Sequence, residues 1–282
     1  MSGMTDWVLG KSYSFRGQAV RYDVMGEGRP MVFIHGTPFS SYVWHRIAPD
    51  LAQSQQVFVF DLLGYGQSEQ RDGQDVSLGV QNDLLAELLA HWRLDRPDVV
   101  AHDFGGTTAL RGHLLNGCEF GSLTLIDPVA LAPWGIGFDR HVRAHQAAFQ
   151  DLPADMHQAI LSTYIRGALA RPLSDDRLAP YLRPWLGAQG QAAFYRQLVQ
   201  FDQRFTDEIE GRYGEVRCPT FILWGEEDRW LPLEQGRRLS TLIPGARFRP
   251  VRGSGHLMQE DAPGTMLAEI FGFLADMDRA RR

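Results

Sequence analysis

An aspartate stands at the apex of "VVAHDFGGTTAL" (Val99–Leu110), where an apolar run gives way to small residues. The pattern predicts a strand, a sharp turn and a helix, with Gly105 and Gly106 supplying little side-chain bulk at the turn. Asp103 then projects at the C-terminal end of the strand, beside a helix N-terminus whose free N–H groups favour negative charge. Capping that helix would also suit an aspartate, so the residue needs partners before chemistry is argued. Three other stretches offer them. "HLMQEDAP" follows a strand-like run and the loop "RGSG", which places His256 at a sheet edge. "WGEEDRWLP" follows the run "TFIL" and offers Asp228. "FIHGTP" carries His35, Gly36, Thr37 and Pro38 just past a third run, where backbone N–H groups are free.

A carboxylate in the nucleophile position implies a particular reaction. A serine hydroxyl must lose a proton as it attacks, whereas a carboxylate with a reference pKa near 4 is already ionised. It can displace a leaving group from saturated carbon and form an alkyl ester. His256, oriented by Asp228, would then activate a water against the ester carbonyl. The N–H groups of Thr37 and Phe104 would stabilise the oxyanion. The chain contains no G-x-S-x-G, so a serine hydrolase of that type has no nucleophile here.

The elements that must position these residues alternate. "SYSFRG" and "AVRYDVMGEG" read as an antiparallel hairpin. "PMVFIHG", "QQVFVFDLLGYG", "PDVVAHD", "SLTLIDP", "PTFILWG" and "ARFRPV" read as further strands. Between them lie helical patterns: "SSYVWHRIAPDLAQ" opened by Ser40 or Ser41, the amphipathic "SLGVQNDLLAELLAHW", "GGTTALRGHLLNG" ended by Gly117, "LEQGRRLSTLI" and a closing "APGTMLAEIFGFLADM". The expected class is α/β, a mostly parallel eight-stranded sheet with helices on both faces. From residue 132 to 213 no strand is expected, only helical pieces broken at Pro153, Pro172, Pro180 and Pro184. The expected division is a core of residues 1–131 and 214–282 with a helical cap of 132–213 inserted after strand 6. The insertion starts at the sheet edge where open α/β proteins place their sites, which suits a cover over substrate.

Composition narrows the classes. Hydrophobic residues make up 44% and charged residues 22% of 282, with a formal net charge of −6. Nothing favours nucleic acid or an anionic membrane surface. No apolar stretch reaches membrane-spanning length, and Met1–Lys11 shows no leader pattern, so a cytoplasmic location is expected. Cys118 and Cys218 give neither a metal spacing nor a disulfide framework. His141 and His145 have helical i, i+4 spacing but no evident third ligand. No metal and no cofactor are expected.

Taken together these motifs resemble the epoxide hydrolase and haloalkane dehalogenase branch of the α/β-hydrolase fold. The order nucleophile, acid, histidine is that of the fold. His35-Gly36-Thr37-Pro38 matches the branch's HGxP motif, "DLLGYGQS" (Asp61–Ser68) its D-x-x-G-x-G-x-S turn, and "HDFGG" its aspartate-bearing elbow. Ala101 departs from the glycine usual two residues before the nucleophile. "GEEDRWLP" matches the family's G-x-x-D-x-x-x-P pattern at Asp228. Asp127 in "LIDPVA" is the alternative acid, in the place fluoroacetate dehalogenases use.

The resemblance offers two leaving groups. Haloalkane dehalogenases usually carry tryptophan after the nucleophile and asparagine after the "HG"; this chain has Phe104 and Thr37. Fluoroacetate dehalogenases have arginine at the Phe104 position. Epoxide hydrolases carry cap tyrosines that protonate the ring oxygen. "AAFYRQ" resembles their Tyr-Arg segment and makes Tyr195 the expected acid, with Tyr164 as second tyrosine and Tyr181 behind it. The expectation is therefore an epoxide hydrolase giving a vicinal diol through an ester on Asp103, acting on a small apolar epoxide. Dehalogenation of an organohalide by the same aspartate is the alternative, and a non-catalytic ligand-binding homologue a further one. Oligomeric state is left open, a homodimer included.

Overall fold

Eight strands form one sheet in the order β1-β2-β4-β3-β5-β6-β7-β8 in the structure, a computed structural model that describes residues 7–135 and 137–281. The expected core limits at residues 1 and 282, and most of the leader reading at Met1–Lys11, lie outside the described residues. β1 (Lys11–Phe15) and β2 (Gln18–Met25) make the expected hairpin, turning at Arg16 and Gly17 with positive φ. β2 runs antiparallel to β4 (Gln55–Phe60). The other pairings, through β3 (Arg29–Ile34), β5 (Asp98–His102), β6 (Ser122–Ile126), β7 (Thr220–Gly225) and β8 (Arg247–Val251), are parallel. β5, β6 and β7 are buried along their whole length, which is why they read as unbroken apolar runs.

Helices cover both faces. α1 (Ala48–Leu51), α2 (Leu78–Trp92), α3 (Phe104–Asn116), α10 (Leu233–Leu242), α11 (Met258–Asp261) and α12 (Pro263–Arg281) alternate with the strands. "SSYVWHRIAPDLAQ" is not the single helix expected. A 3-10 turn at Ser41–Trp44, capped by the Ser40 hydroxyl, is followed by the separate α1. Pro49 explains the break: it lacks an N–H and its ring clashes with the carbonyl one turn earlier, so it fits only at a helix start.

Between β6 and β7 the described residues form no strand. α4 (Phe138–Ala144), α5 (Gln146–Gln150), α6 (Ala154–Gly167), α7 (Asp175–Leu182), α8 (Gly187–Val199) and α9 (Arg204–Glu210) fill this stretch. They are bonded to the loops at the C-terminal ends of the strands. The Gln197 side-chain Oε1 on α8 accepts from the Thr37 hydroxyl at 2.6 Å and from the Tyr65 hydroxyl at 3.2 Å. Trp185 donates its indole N–H to the Pro38 carbonyl at 2.6 Å. Among the described residues no helix is long and apolar enough to cross a membrane.

The segment just after His256 fastens the same helices from the other side. The Asp261 carboxylate accepts N–H groups of Ala170 (2.8 Å), Arg171 (3.2 Å) and Gly255 (2.9 Å). Glu260 is buried and accepts from Tyr181 at 2.7 Å and from Arg177, both on α7. Hydrogen bonds to charged groups contribute more than neutral ones, and removing the carboxylate strands buried donors. Asp261→Ala should cost about 2 kcal/mol in urea unfolding, with Asp261→Asn recovering part of it. Equal midpoints for wild type and Asp261→Ala would show that the connection contributes nothing.

Candidate active site

β5 runs into α3 through Asp103, whose backbone sits at φ 53°, ψ −121°. A non-glycine residue in that region costs roughly 1–3 kcal/mol and survives only where its surroundings fix it. Here both flanks are fixed. The Asp103 N–H donates to the Ile126 carbonyl at 3.1 Å, and its own carbonyl accepts from Gly106 (2.9 Å) and Val129 (3.2 Å). A Cβ on Gly105 would collide with the Ile34 carbonyl, and one on Gly106 with Pro128. The elbow therefore needs both glycines. Ala101 lies buried within β5, in register with Ile34 and Leu125, so its methyl is accommodated.

The Asp103 carboxylate is only 3% exposed, so its charge must be met within the protein. The Thr37 N–H donates to Oδ1 at 2.7 Å. Gly36 lets that amide approach, because a Cβ there would strike the aspartate side chain. His35 holds the loop from beneath. Its Nε2 accepts from the Leu62 N–H at 2.9 Å, which leaves Nδ1 to donate to the Gly36 carbonyl at 2.9 Å. Phe104 is the first residue of α3, so its N–H has no intrahelical partner and is free for the same oxyanion.

On the other side, His256 Nε2 lies 3.3 Å from Asp103 Oδ2 as an ion pair. Its Nδ1 is 2.8 Å from Asp228 Oδ2, and Asp228 Oδ1 accepts the Trp230 and Leu231 N–H groups at 2.7 and 3.0 Å. Burial by itself would lower the His256 pKa. The Asp228 and Asp103 carboxylates outweigh it and hold the imidazole well above its usual 6.5, so the resting ring is an imidazolium between two anions. His102 is its opposite. It donates from Nε2 to the His256 carbonyl at 2.9 Å, and burial, then the neighbouring His256 charge, push its pKa down to about 3.

A small cavity of about 30 Å³, room for one water, lies against Asp103. Phe104, Val129, Trp134, Phe201, Tyr164 and Trp230 are its main walls, with Thr37 and Asp139 as further polar members. Trp134 spends its indole N–H on the Thr206 hydroxyl at 3.0 Å.

The model of the alpha/beta hydrolase fold family matches residues 29–263. The chain belongs to that family. A solved alpha/beta hydrolase fold protein from Burkholderia ambifaria is 51% identical over 93% of this chain and 97% of that one, with a TM-score of 0.91. A Pseudomonas aeruginosa structure assigned as an epoxide hydrolase is 25% identical, covering 99% and 100% of the two chains, with a TM-score of 0.74. Among curated relatives, the 2-hydroxy-6-oxo-2,4-heptadienoate hydrolase of Pseudomonas putida is 26% identical over 90% of this chain and 92% of its own.

In this α/β-hydrolase the two expected cap tyrosines fall in different places. Tyr164 on α6 lines the cavity; burial and the Asp103 charge raise its phenol well above 10. The Tyr195 expectation is corrected. Its hydroxyl bonds His157 Nδ1 at 3.0 Å and its ring packs on Phe149, inside the helical layer and off the cavity wall. The reason is helix phase. Gln197 faces Thr37, and Tyr195, two residues earlier, points about 200° away around α8. Tyr181 is likewise occupied, by Glu260.

Asp127 stands at the end of β6 with φ 40° and accepts the Gly225 N–H at 2.8 Å, while His256 pairs with Asp228. Burial and then the Asp228 charge push Asp127 well above the usual carboxylate range. A second buried charge beside Asp228 is unfavourable, so the neutral form of Asp127 is the favoured one. His141 and His145 have rings 4.8 Å apart, and among the described residues no group of three possible metal ligands occurs. Asp139, Trp230 and Gln197 were not singled out from sequence. Trp230 alone had a signal, two residues past Asp228 in the acid's own motif.

The buried histidines weaken the fold toward acid pH. His102 and His35 are held neutral in the fold but take protons near pH 6.5 once unfolded. The unfolded chain binds more protons below that pH, so stability falls as pH drops from about 6.5 toward 3. His256 has the reverse sign: its contribution is present below about 6.5 and is lost as pH rises through its folded value. Replacing His102 by Gln should flatten the loss of stability between pH 6 and 4 by up to about 1.4 kcal/mol per pH unit. Urea unfolding at each pH measures this, and parallel slopes would refute it.

Proposed function

We propose that this α/β-hydrolase is an epoxide hydrolase, converting a small apolar epoxide and water to a vicinal diol. Residues 132–213 act as a cap over a core of 1–131 and 214–282. One observation carries the reading: a cavity is walled by the carboxylate at a hydrolase elbow, by the Thr37 loop whose N–H meets one carboxylate oxygen, and by a phenol, while an imidazole lies against the other oxygen from behind.

Asp103 Oδ2 attacks a ring carbon while Oδ1 keeps its bond to Thr37. The C–O bond breaks, and the Tyr164 phenol gives its proton to the ring oxygen. Loss of the Asp103 charge removes one of the two anions that raised His256 and one of the two carboxylates that, with burial, raised Tyr164. The imidazolium proton replaces the one Tyr164 gave up, and His256 becomes a neutral base. Water then yields a proton to Nε2 and adds to the ester carbonyl, whose oxyanion is held by the N–H groups of Thr37 and Phe104. Collapse breaks the acyl–oxygen bond. The acid proton of the new Asp103 carboxyl goes to the departing diol oxygen, which restores carboxylate and imidazolium. Asp228, backed by the Asp127 acid, keeps the imidazole aligned throughout.

The cavity argues against two neighbours of this reading. Halide release wants a set of side-chain N–H donors; Phe104 has none and Trp134 is bonded to Thr206, which leaves the Trp230 indole as the one indole donor on the cavity wall. A dienoate such as the curated relatives' names imply carries a carboxylate, yet among the described residues no arginine or lysine lines this cavity and Asp139 adds a second carboxylate to it. A carrier descended from an enzyme would not need the aligned histidine and acid.

Intact mass of His256→Ala after incubation with styrene oxide or 1-bromobutane tests the assignment. The account expects a gain equal to the whole epoxide, mapped to Asp103. A butyl adduct with bromide release would make the protein a dehalogenase, and no adduct from either would remove the nucleophile. A second measurement separates the tyrosines. Tyr164→Phe should lose roughly 10²-fold or more in kcat, the usual range for a general acid. Tyr195→Phe should stay within a few fold of wild type, and the reverse ranking would restore Tyr195 as the acid.

A further inference from the structure

α6 carries two apolar faces where an ordinary surface helix carries one. His157, Leu161 and Ile165 point inward and are buried. Met156, Ala159, Ile160, Thr163, Tyr164 and Gly167, at spacings of three and four, form a second stripe, along which Met156 is 55% exposed. An unburied apolar stripe of this kind marks a binding surface. It forms one wall of an open groove of about 450 Å³, with Phe138 of α4 across from it. Among the described residues no charged residue lines the groove.

The groove abuts the cavity at Asp103. Tyr164 and Trp230 line both, with their rings 4.7 Å apart and inclined by 32°. A Cβ on Gly167 would come within 3.3 Å of Trp230 Nε1, so the glycine leaves the space in which that ring lies. The inner cavity admits only a water, at about 30 Å³, whereas the outer groove has the size of a small-molecule site. A reactive end that enters from the groove therefore reaches Asp103 when the Tyr164 and Trp230 rings shift apart. The rest of the molecule is left outside them.

We infer that the groove between α4 and α6 is an outer subsite that holds an uncharged apolar tail of the substrate, alkyl or aryl, while the reactive end passes Tyr164 and Trp230. The tail's chemistry follows from the lining. Thr163 is the one polar member besides the Tyr164 phenol and the Trp230 indole, so the groove offers contact area and no site for a charge. This deepens the epoxide hydrolase reading and rests on it for the identity of the reactive end.

The test is a series of terminal epoxides from 1,2-epoxybutane to 1,2-epoxydecane. Burying each added methylene should raise kcat/KM by up to about fourfold until the groove is full. Thr163→Trp and Ala159→Trp fill the groove and should collapse the decane-to-butane ratio of kcat/KM at least tenfold. Gln158→Trp, exposed on another face of α6, should leave that ratio unchanged. A flat series, or a ratio unaffected by Thr163→Trp and Ala159→Trp, overturns the subsite.

Binding without turnover separates this from the reaction itself. Decan-1-ol, but not butan-1-ol, should quench tryptophan fluorescence in wild type. The quench should vanish in Trp230→Phe and weaken at least tenfold in Thr163→Trp. If no epoxide is turned over while decan-1-ol binds in this way, the epoxide reading falls and the subsite stands. If epoxides are turned over without chain-length dependence, the subsite falls alone. Sedimentation of wild type as a dimer that Thr163→Trp dissociates would assign the stripe to a second copy and overturn the proposal.

Discussion

A carboxylate buried at the end of an internal strand is unstable unless its charge is answered, and the answers organise everything around it. Asp103 receives one backbone N–H from the Thr37 loop and one imidazolium from the loop after β8. Those loops come from opposite sides of the strand that bears it: β3 lies to one side of β5, and β6, β7 and β8 follow in turn on the other. The strand order that centres β5 is what lets both reach it. The backbone strain at φ 53° persists because sheet and helix hold the two flanks.

In the proposed reaction the same electrostatics make the site self-timing. While Asp103 is ionised, His256 is kept charged and Tyr164 keeps its proton, so neither reacts early. Ester formation, as proposed, would remove that one charge and relax both groups in the useful direction. Asp127 fits this scheme as a neutral neighbour, since an added anion at that depth would tighten the grip on the imidazolium and slow its release. The apolar walls sharpen each of these effects, because charges interact more strongly where water is excluded.

Local chemistry was legible in the sequence and orientation was not. The elbow could be read because its two glycines and its aspartate are consecutive and their steric reason is local. The "HGTP" loop and the Asp61 turn could be read for the same cause. Asp61 accepts the Ser41 and Gln67 N–H groups at 2.6 Å each, and Gly66 is needed where it passes that carboxylate. Asp228 and His256 followed from standing just past strands. Tyr195 did not, because a tyrosine on a helix says nothing about which way the helix is turned. That phase is fixed by long-range contacts such as Gln197 to Thr37 and Tyr195 to His157. Asp139 and Gln197 lie in stretches with no motif and become visible only once the helical layer is folded over the sheet.

The central claim is that the oxygen added to product comes from Asp103 and is replaced from water. A single turnover of styrene oxide by excess enzyme in ¹⁸O-water tests it directly. The account predicts that the label enters the Asp103 carboxylate, found by mass of its peptide, while the first diol released is unlabelled. Label in that first diol, with Asp103 unlabelled, would mean that water attacked the epoxide itself and that no ester was formed.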